Sequence, residues 1–123
     1  MLKYIELKAG HADNGPAWIA RVSASRSGRT IYFSGKALRR GNGVAGNHVD
    51  LETGEEYWVS GVKKDGRDRH WAGSGKIAIE ASAVSEYLDF IGAAELDESR
   101  FVIIQDLPPT DLGRLHASEN ERL

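Results

Sequence analysis

Apolar and polar residues alternate in short stretches along much of the chain. Within residues 3–8 and 76–80, one side of the extended chain is apolar and the other is polar. This period of two is typical of a strand in a sheet that is wetted on one face. The predicted strands, most of them rich in Tyr, Trp, Ile or Val, are residues 2–8, 17–23, 29–34, 36–40, 56–62, 76–80 and 101–105.

Glycine-containing turns separate these strands. Residues 26–29 and 64–67 each have glycine at the third position, where Gly28 and Gly66 supply the positive φ that a tight hairpin turn requires. Residues 50–55 predict a further turn. Short strands joined by such turns predict a mainly β fold of the α+β class, an antiparallel meander curled into a small barrel or half-barrel.

A single helix is predicted over residues 82–92, near the C-terminal end of the domain. Ser82 is the expected N-cap, and Gly92 lies where a C-cap glycine belongs. Between them an apolar stripe with helical spacing is formed by Val84, Tyr87, Leu88 and Ile91. We expect this helix to lie across the open end or one face of the sheet.

Length and composition predict one globular domain, residues 1–107, followed by a polar, mobile tail over residues 108–123 that begins with two prolines. With no cysteine, the chain has no disulfides, thiolate zinc sites or cysteine nucleophiles. Residues 1–8 have charges at short intervals and no apolar run, so no signal peptide or membrane span is expected. These features favour a cytoplasmic protein, and a homo-oligomer stays open.

Charge is distributed unevenly along the chain. Residues 21–76 contain eleven Lys and Arg against six Asp and Glu, whereas residues 77–123 contain three against ten. The net charge of −2 therefore combines a basic middle of +5 with an acidic end of −7. Such regions face different partners, face each other, or are simply solvated surfaces.

Motifs for common enzymatic chemistry are absent from the sequence. Residues 73–76, Gly-Ser-Gly-Lys, lack the first glycine of a phosphate-binding loop and the Ser or Thr after the lysine. His-x-Asp occurs at residues 11–13 and 48–50, but without the third ligand or helical spacing of a metal site. The sequence therefore predicts neither a metal site nor a cofactor.

Aromatic and basic residues are concentrated over residues 57–76, which we predict to form a hairpin. Cations there can meet phosphates or carboxylates, and aromatic rings can stack on bases. The candidate binding residues are Tyr57, Lys63, Lys64, Arg67, Arg69, His70, Trp71 and Lys76, joined by Arg39 and Arg40 at a nearby edge. Trp18 and Trp58 are expected in the core, and Trp71 is expected to be partly exposed.

These residues favour a non-enzymatic binding module that recognises an acidic protein surface or nucleic acid. The alternative is a small hydrolase or lyase that uses His70 and Asp68, with Ser74 as a further weak catalytic candidate. The two hypotheses differ in whether Asp68, His70 and Ser74 converge in a pocket.

Several segments resemble a family of small uncharacterised bacterial proteins. They are residues 14–19 (Asn-Gly-Pro-Ala-Trp-Ile), 28–33 (Gly-Arg-Thr-Ile-Tyr-Phe), 52–58 (Glu-Thr-Gly-Glu-Glu-Tyr-Trp), 61–66 (Gly-Val-Lys-Lys-Asp-Gly) and 68–76 (Asp-Arg-His-Trp-Ala-Gly-Ser-Gly-Lys). Such sequences sometimes carry the label deoxyxylulose-phosphate synthase, a thiamine-diphosphate enzyme. This chain lacks the Gly-Asp-Gly with downstream paired Asn that holds magnesium diphosphate. The resemblance therefore implies no cofactor and no site residue.

Overall fold

A computed structural model describes residues 1–8, 15–41, 43, 45–68 and 75–111. Its nine strands are β1 Leu2–Leu7, β2 Ala17–Arg21, β3 Ser23–Ala24, β4 Thr30–Phe33, β5 Lys36–Arg40, β6 His48–Asp50, β7 Glu56–Gly61, β8 Ile77–Glu80 and β9 Phe101–Ile104. One turn of 3-10 helix, Ala81–Ala83, leads into the helix α1, Val84–Ile91.

All nine strands belong to one sheet, in the order β3-β4-β5-β6-β7-β1-β2-β8-β9. From β3 to β7 the strands form an antiparallel meander, and β1 then pairs with both β7 and β2. The sheet is curled into a half-barrel with one helix, which confirms the predicted mainly β fold. The last two pairs, β2 with β8 and β8 with β9, are parallel and not antiparallel.

The sheet has a core on each face, because successive side chains of a strand point to opposite sides. On one side, Tyr4 and Ile19 pack with Tyr87 of α1; we call this the helix face. On the opposite face, Ile5 packs with Leu38 and neighbouring strands. Both clusters bury large side chains. The helix α1 packs against the cluster on the helix face and contributes no residue to the other.

The helix ends as predicted but begins differently. Gly92 is left-handed, with φ of 73°, and its N–H donates to the carbonyl of Leu88. At the other end Ser82 is not the N-cap: it lies inside the 3-10 turn, and its backbone N–H donates to Oδ1 of Asp106 at 3.0 Å. A carboxylate from a distant segment therefore satisfies a backbone donor of the 3-10 turn, while the N-cap of α1 is Ala83, which has no side-chain cap.

Most predicted strands are found within one or two residues of their expected ends, and two short strands, β3 and β6, were not predicted as separate strands. β6 has only three residues, two of them polar, and is held by β5 and β7 on either side. The turn at Gly28, with φ of 77°, joins the paired strands β3 and β4 as predicted.

The chain after β9 turns back across the domain. The N–H of Leu107 donates to Oε2 of Glu80 at 2.8 Å, and the Thr110 hydroxyl donates to the carbonyl of Lys36 at 3.1 Å. The start of the predicted tail therefore contacts β5, and residues 112–123 lie outside the described part. Among the described helices, none has the length and apolar character needed to cross a membrane.

Candidate functional site

An exposed tryptophan lies on the helix face, in the middle of the sheet. Trp58 of β7 is the cross-strand partner of Glu6 on β1, and Glu6 is in turn the partner of Ala17 on β2. Although Trp58 lies in an apolar stretch, its side chain is 42% exposed. The prediction that Trp58 is a core residue is therefore wrong, because its register points it away from the packed core on the opposite face.

Beside Trp58, three side chains of β1 form a charged network. Tyr4, Glu6 and Lys8 are two residues apart and so share one face of the strand. The Tyr4 hydroxyl donates to Oε1 of Glu6 at 2.5 Å, and Nζ of Lys8 donates to Oε2 at 2.9 Å. Glu6 is only 2% exposed. The two contacts satisfy a carboxylate that burial alone would strongly disfavour.

The segment after β7 folds into a compact turn over this face. Asp68 accepts the backbone N–H of Lys63 on Oδ1 at 2.7 Å, and the N–H of Gly66 donates to the carbonyl of Lys63 at 3.1 Å. Inside the turn, Oδ1 of Asp65 accepts the N–H of Arg67 at 2.9 Å. The two aspartates thus stabilise the loop, while its basic side chains are directed to solvent.

Asp68 and Tyr87 are buried polar groups with an unusual environment. Burial raises the pKa of the Asp68 carboxyl, an effect opposed by the hydrogen bond from Lys63 and by nearby cationic charge. Burial and the Asp68 charge together raise the pKa of Tyr87 to about 12. Among the described residues, Oδ2 of Asp68 and the Tyr87 hydroxyl are buried without a hydrogen-bond partner.

These elements enclose a cavity of about 300 Å³ on the helix face. Small-molecule sites span roughly 300–1,000 Å³, so this one has room for a single ring system and not for a large cofactor. An indole, two cations and two carboxylates converge around it. Within the part of the chain that the structure describes, its lining residues are Tyr4, Glu6, Lys8, Ala45, Trp58, Lys63 and Asp68.

The wall at Ala45 is fixed by side chains that replace backbone pairing. Oε1 of Glu56 accepts the N–H groups of Ala45 and Gly46, both at 3.0 Å. The Asn47 amide pairs with both backbone groups of Val59 at 2.8 Å, much as a further strand residue would. Glu56 and Val59, on either side of Trp58 in β7, thus anchor the loop, and the backbone beneath the indole is held by hydrogen bonds.

Some of the predicted binding residues are exposed to solvent and others are buried. Lys63, Lys64 and Arg67 are exposed in the turn after β7, as a binding role requires. Tyr57 is 2% exposed and packs in the core of the opposite face, so its ring cannot stack on a ligand. The prediction that Tyr57 binds a ligand was wrong, because in β7 the exposed side chain is that of the next residue, Trp58.

β7 and β8 do not pair with each other as the predicted hairpin over residues 57–76 requires. β7 and β8 run parallel and are separated in the sheet by β1 and β2. Gly66 does adopt a positive φ, 73°, but within a crossover connection and not between paired strands. Lys76 consequently lies elsewhere, in a groove beside α1 and β9.

Arg39 and Arg40 are both exposed but point to opposite faces of β5. Arg39 is aligned with Val49 and Glu56, on the side of Trp58, whereas Arg40 is aligned with His48 and Tyr57. β5 is flanked by β4 and β6, so the two arginines do not form an edge. Only Arg39 lies on the face of the cavity.

The remaining predicted residues, Arg69, His70, Trp71 and Ser74, lie outside the described residues. Of the catalytic candidates, Asp68 alone is described, and its Oδ1 is occupied by the Lys63 N–H. Over the described ranges, no cluster of His, Asp and Glu is arranged to hold a metal ion.

The site contains residues that the sequence did not single out, namely Tyr4, Glu6, Lys8 and Trp58. The alternation over residues 3–8 places the first three on one side of a strand, which is a usable signal. Trp58 lies beside these residues because β7 pairs with β1. No local sequence pattern predicts this order of strands in the sheet.

Comparison with known proteins finds no matching family model, no matching curated protein and no matching solved structure. The resemblance to a family of small bacterial proteins stays a prediction from the sequence.

Proposed function

We propose that this protein is a cytoplasmic, non-enzymatic binding module that holds single-stranded nucleic acid on the helix face of its sheet. The observation that carries the proposal is the exposure of Trp58, 42%, on a rigid strand beside a cavity and a basic turn. An aromatic ring on a sheet face, flanked by cations, is the arrangement on which unpaired bases stack.

Stacking supplies the first part of the interaction. A base laid on the Trp58 indole would occupy the cavity between the indole and the turn that ends at Asp68. Stacking on an aromatic side chain contributes roughly 1–3 kcal/mol per base and needs no particular sequence. The anchored backbone of β7 keeps the ring in place, so little side-chain entropy is lost on binding.

Cations supply the second part. Lys63, Lys64 and Arg67 follow Trp58 within one short turn, and Arg39 lies on the same face two strands away, about 10 Å across the sheet. Backbone phosphates on either side of a stacked base can reach these groups. Asp65 lies in the same turn and reduces the local charge, so we expect weak, salt-dependent binding.

An acidic protein surface would use the same cations but would not need an exposed indole on the face of the sheet. The second class considered, a hydrolase or lyase, is supported by no contact among the described residues. The exposed tryptophan therefore favours nucleic acid over both alternatives.

Fluorescence anisotropy with labelled oligo(dT) of about ten nucleotides, within the site sizes of small single-strand-binding domains, tests the proposal. We expect saturable binding at low salt that is lost in Trp58→Ala and weakened in Lys63→Gln/Lys64→Gln. The matched control is Phe90→Ala, which removes an exposed aromatic ring of α1. Preference for a labelled poly-glutamate peptide over oligo(dT) would instead support an acidic protein partner.

A further inference from the structure

The strand β9 forms one edge of the sheet and is unusually apolar for such a position. It pairs with β8 on one side, and no described strand lies on the other. Its sequence, Phe-Val-Ile-Ile, contains no charge and no proline. Val102 and Ile103 are 46% and 56% exposed, whereas Phe101 is buried.

Natural proteins usually protect sheet edges with charge, proline, a bulge or a very short strand, because open backbone groups recruit other strands. The opposite edge follows this rule, since β3 has only two residues, Ser23 and Ala24. β9 does not. The chain after it leads away from the edge, as Leu107 and Thr110 bind Glu80 and Lys36.

A groove of about 1,000 Å³ runs between this edge and α1. Its apolar lining is formed by Val84, Leu88, Leu96, Phe101, Val102 and Ile103. Carboxylates form its rim, and these are Glu95, Asp97 and Glu98. Among the described residues Lys76 is the one basic residue that lines the groove, so its described rim has an excess of negative charge.

We infer that β9 and this groove bind an extended, basic segment of a partner protein, which adds a strand to the sheet. Backbone groups of β9 would pair with the segment, as in other cases of strand addition. Alternate apolar side chains would fill the groove, and lysine or arginine residues would face Glu95, Asp97 and Glu98. This surface is separate from the Trp58 cavity and does not depend on the proposed nucleic-acid binding.

A second copy of the chain fits this edge less well. Residues 77–123 carry a net charge of −7, so pairing two β9 edges would bring like charges together. Pairing β9 with β3 of another copy would offer a ladder of only two residues. Charge and strand length therefore both favour a basic partner segment.

The test uses the full chain and a short acetylated peptide in which valine and lysine alternate. We expect the peptide to bind and to slow amide hydrogen exchange at Ile103, whose N–H faces the open edge because those of Val102 and Ile104 point towards β8, with no change in β3. Ile103→Thr should weaken binding by about tenfold, the ordinary effect of losing one central apolar contact. Phe90→Thr, which changes an exposed residue outside the groove, should leave it unchanged.

Two further probes make the result decisive. A valine–glutamate peptide should fail to bind, and a valine–lysine peptide with alternate N-methylated amides should lose most of its affinity because it cannot form the ladder. Equal binding of either probe, or no slowing of exchange in β9, would overturn the inference. A concentration-dependent dimer that Ile103→Thr dissociates would also overturn it, in favour of a second copy.

Discussion

Trp58 and Glu6 are directly opposite each other on β7 and β1, so an exposed indole lies next to a buried carboxylate. Cross-strand partners are close enough for their side chains to interact. Glu6 is held by Tyr4 and Lys8, which makes the strand beside the indole polar and well ordered. This pairing places an aromatic ring that is open to solvent beside a hydrogen-bonded, buried network.

Truncation of Trp18 and truncation of Trp58 should change the free energy of unfolding by different amounts. Trp18 packs against Phe33, with ring centroids 5.3 Å apart, and is only partly exposed. We expect Trp18→Ala to lower the free energy of unfolding by about 2–3 kcal/mol, since it leaves a cavity. Trp58→Ala should change it by less than about 1 kcal/mol, as at other surface sites. Urea unfolding of both variants measures the difference, and equal losses would contradict the assignment of faces.

Lys8 is predicted to stabilise the fold through Glu6 and not through its own packing. Lys8→Met keeps the apolar stem but leaves the Glu6 carboxylate buried without its cation, which should cost about 2–4 kcal/mol. In the double variant Glu6→Gln/Lys8→Met both charges of this pair are removed, and most of the loss should be recovered. A double variant no more stable than Lys8→Met would show that the pair is not coupled.

Asp68 makes stability depend on pH with a definite sign. Its folded-state pKa is raised above the ordinary 3.8 by burial, so the folded protein binds a proton before the unfolded chain does. The contribution of Asp68 to the free energy of unfolding of the wild type therefore rises as the pH falls from neutral through the raised pKa towards 3.8. Asp68→Asn keeps Oδ1 for Lys63 but does not titrate.

We therefore expect Asp68→Asn to be more stable than the wild type at pH 7, with an advantage that shrinks as the pH is lowered. Urea unfolding of both proteins at a series of pH values measures this. A difference that is constant or grows in acid would contradict the raised pKa.

Binding to single-stranded DNA should depend on salt through a small number of cations. If Lys63, Lys64 and Arg67 each contact one phosphate, the log–log plot of affinity against salt should have a slope of about −2. Lys64→Gln should make the slope shallower by about 0.7, the share of one phosphate contact. Affinity that does not change between low and high salt would exclude these contacts.

Much of the fold could be predicted from local patterns. Alternation located most strands, and Gly92 marked the end of α1, because both signals depend on neighbours in sequence. β6 was missed because three residues are too few to show a period. Ser82 was misassigned as the N-cap because the 3-10 turn that contains it is bound by Asp106, which is distant in sequence.

The candidate site was predicted only in part, for two physical reasons. Tyr57, Trp58 and Val59 are all apolar, so the period of two does not say which of them faces the core. The connection from β7 to β8 is also long enough for a crossover between parallel strands, which removes the reason to pair them as a hairpin. Lys63, Lys64 and Arg67 were found because charge and glycine mark an exposed turn in any topology.

The most direct test follows the emission of Trp58 itself. The chain has three tryptophans, so Trp18→Phe/Trp71→Phe leaves Trp58 as the single reporter. Adding oligo(dT) should quench its fluorescence in a saturable manner, with the same midpoint as the anisotropy titration, because a stacked base contacts the indole. Oligo(dT) that binds by anisotropy while the emission of Trp58 stays unchanged would contradict the proposed site.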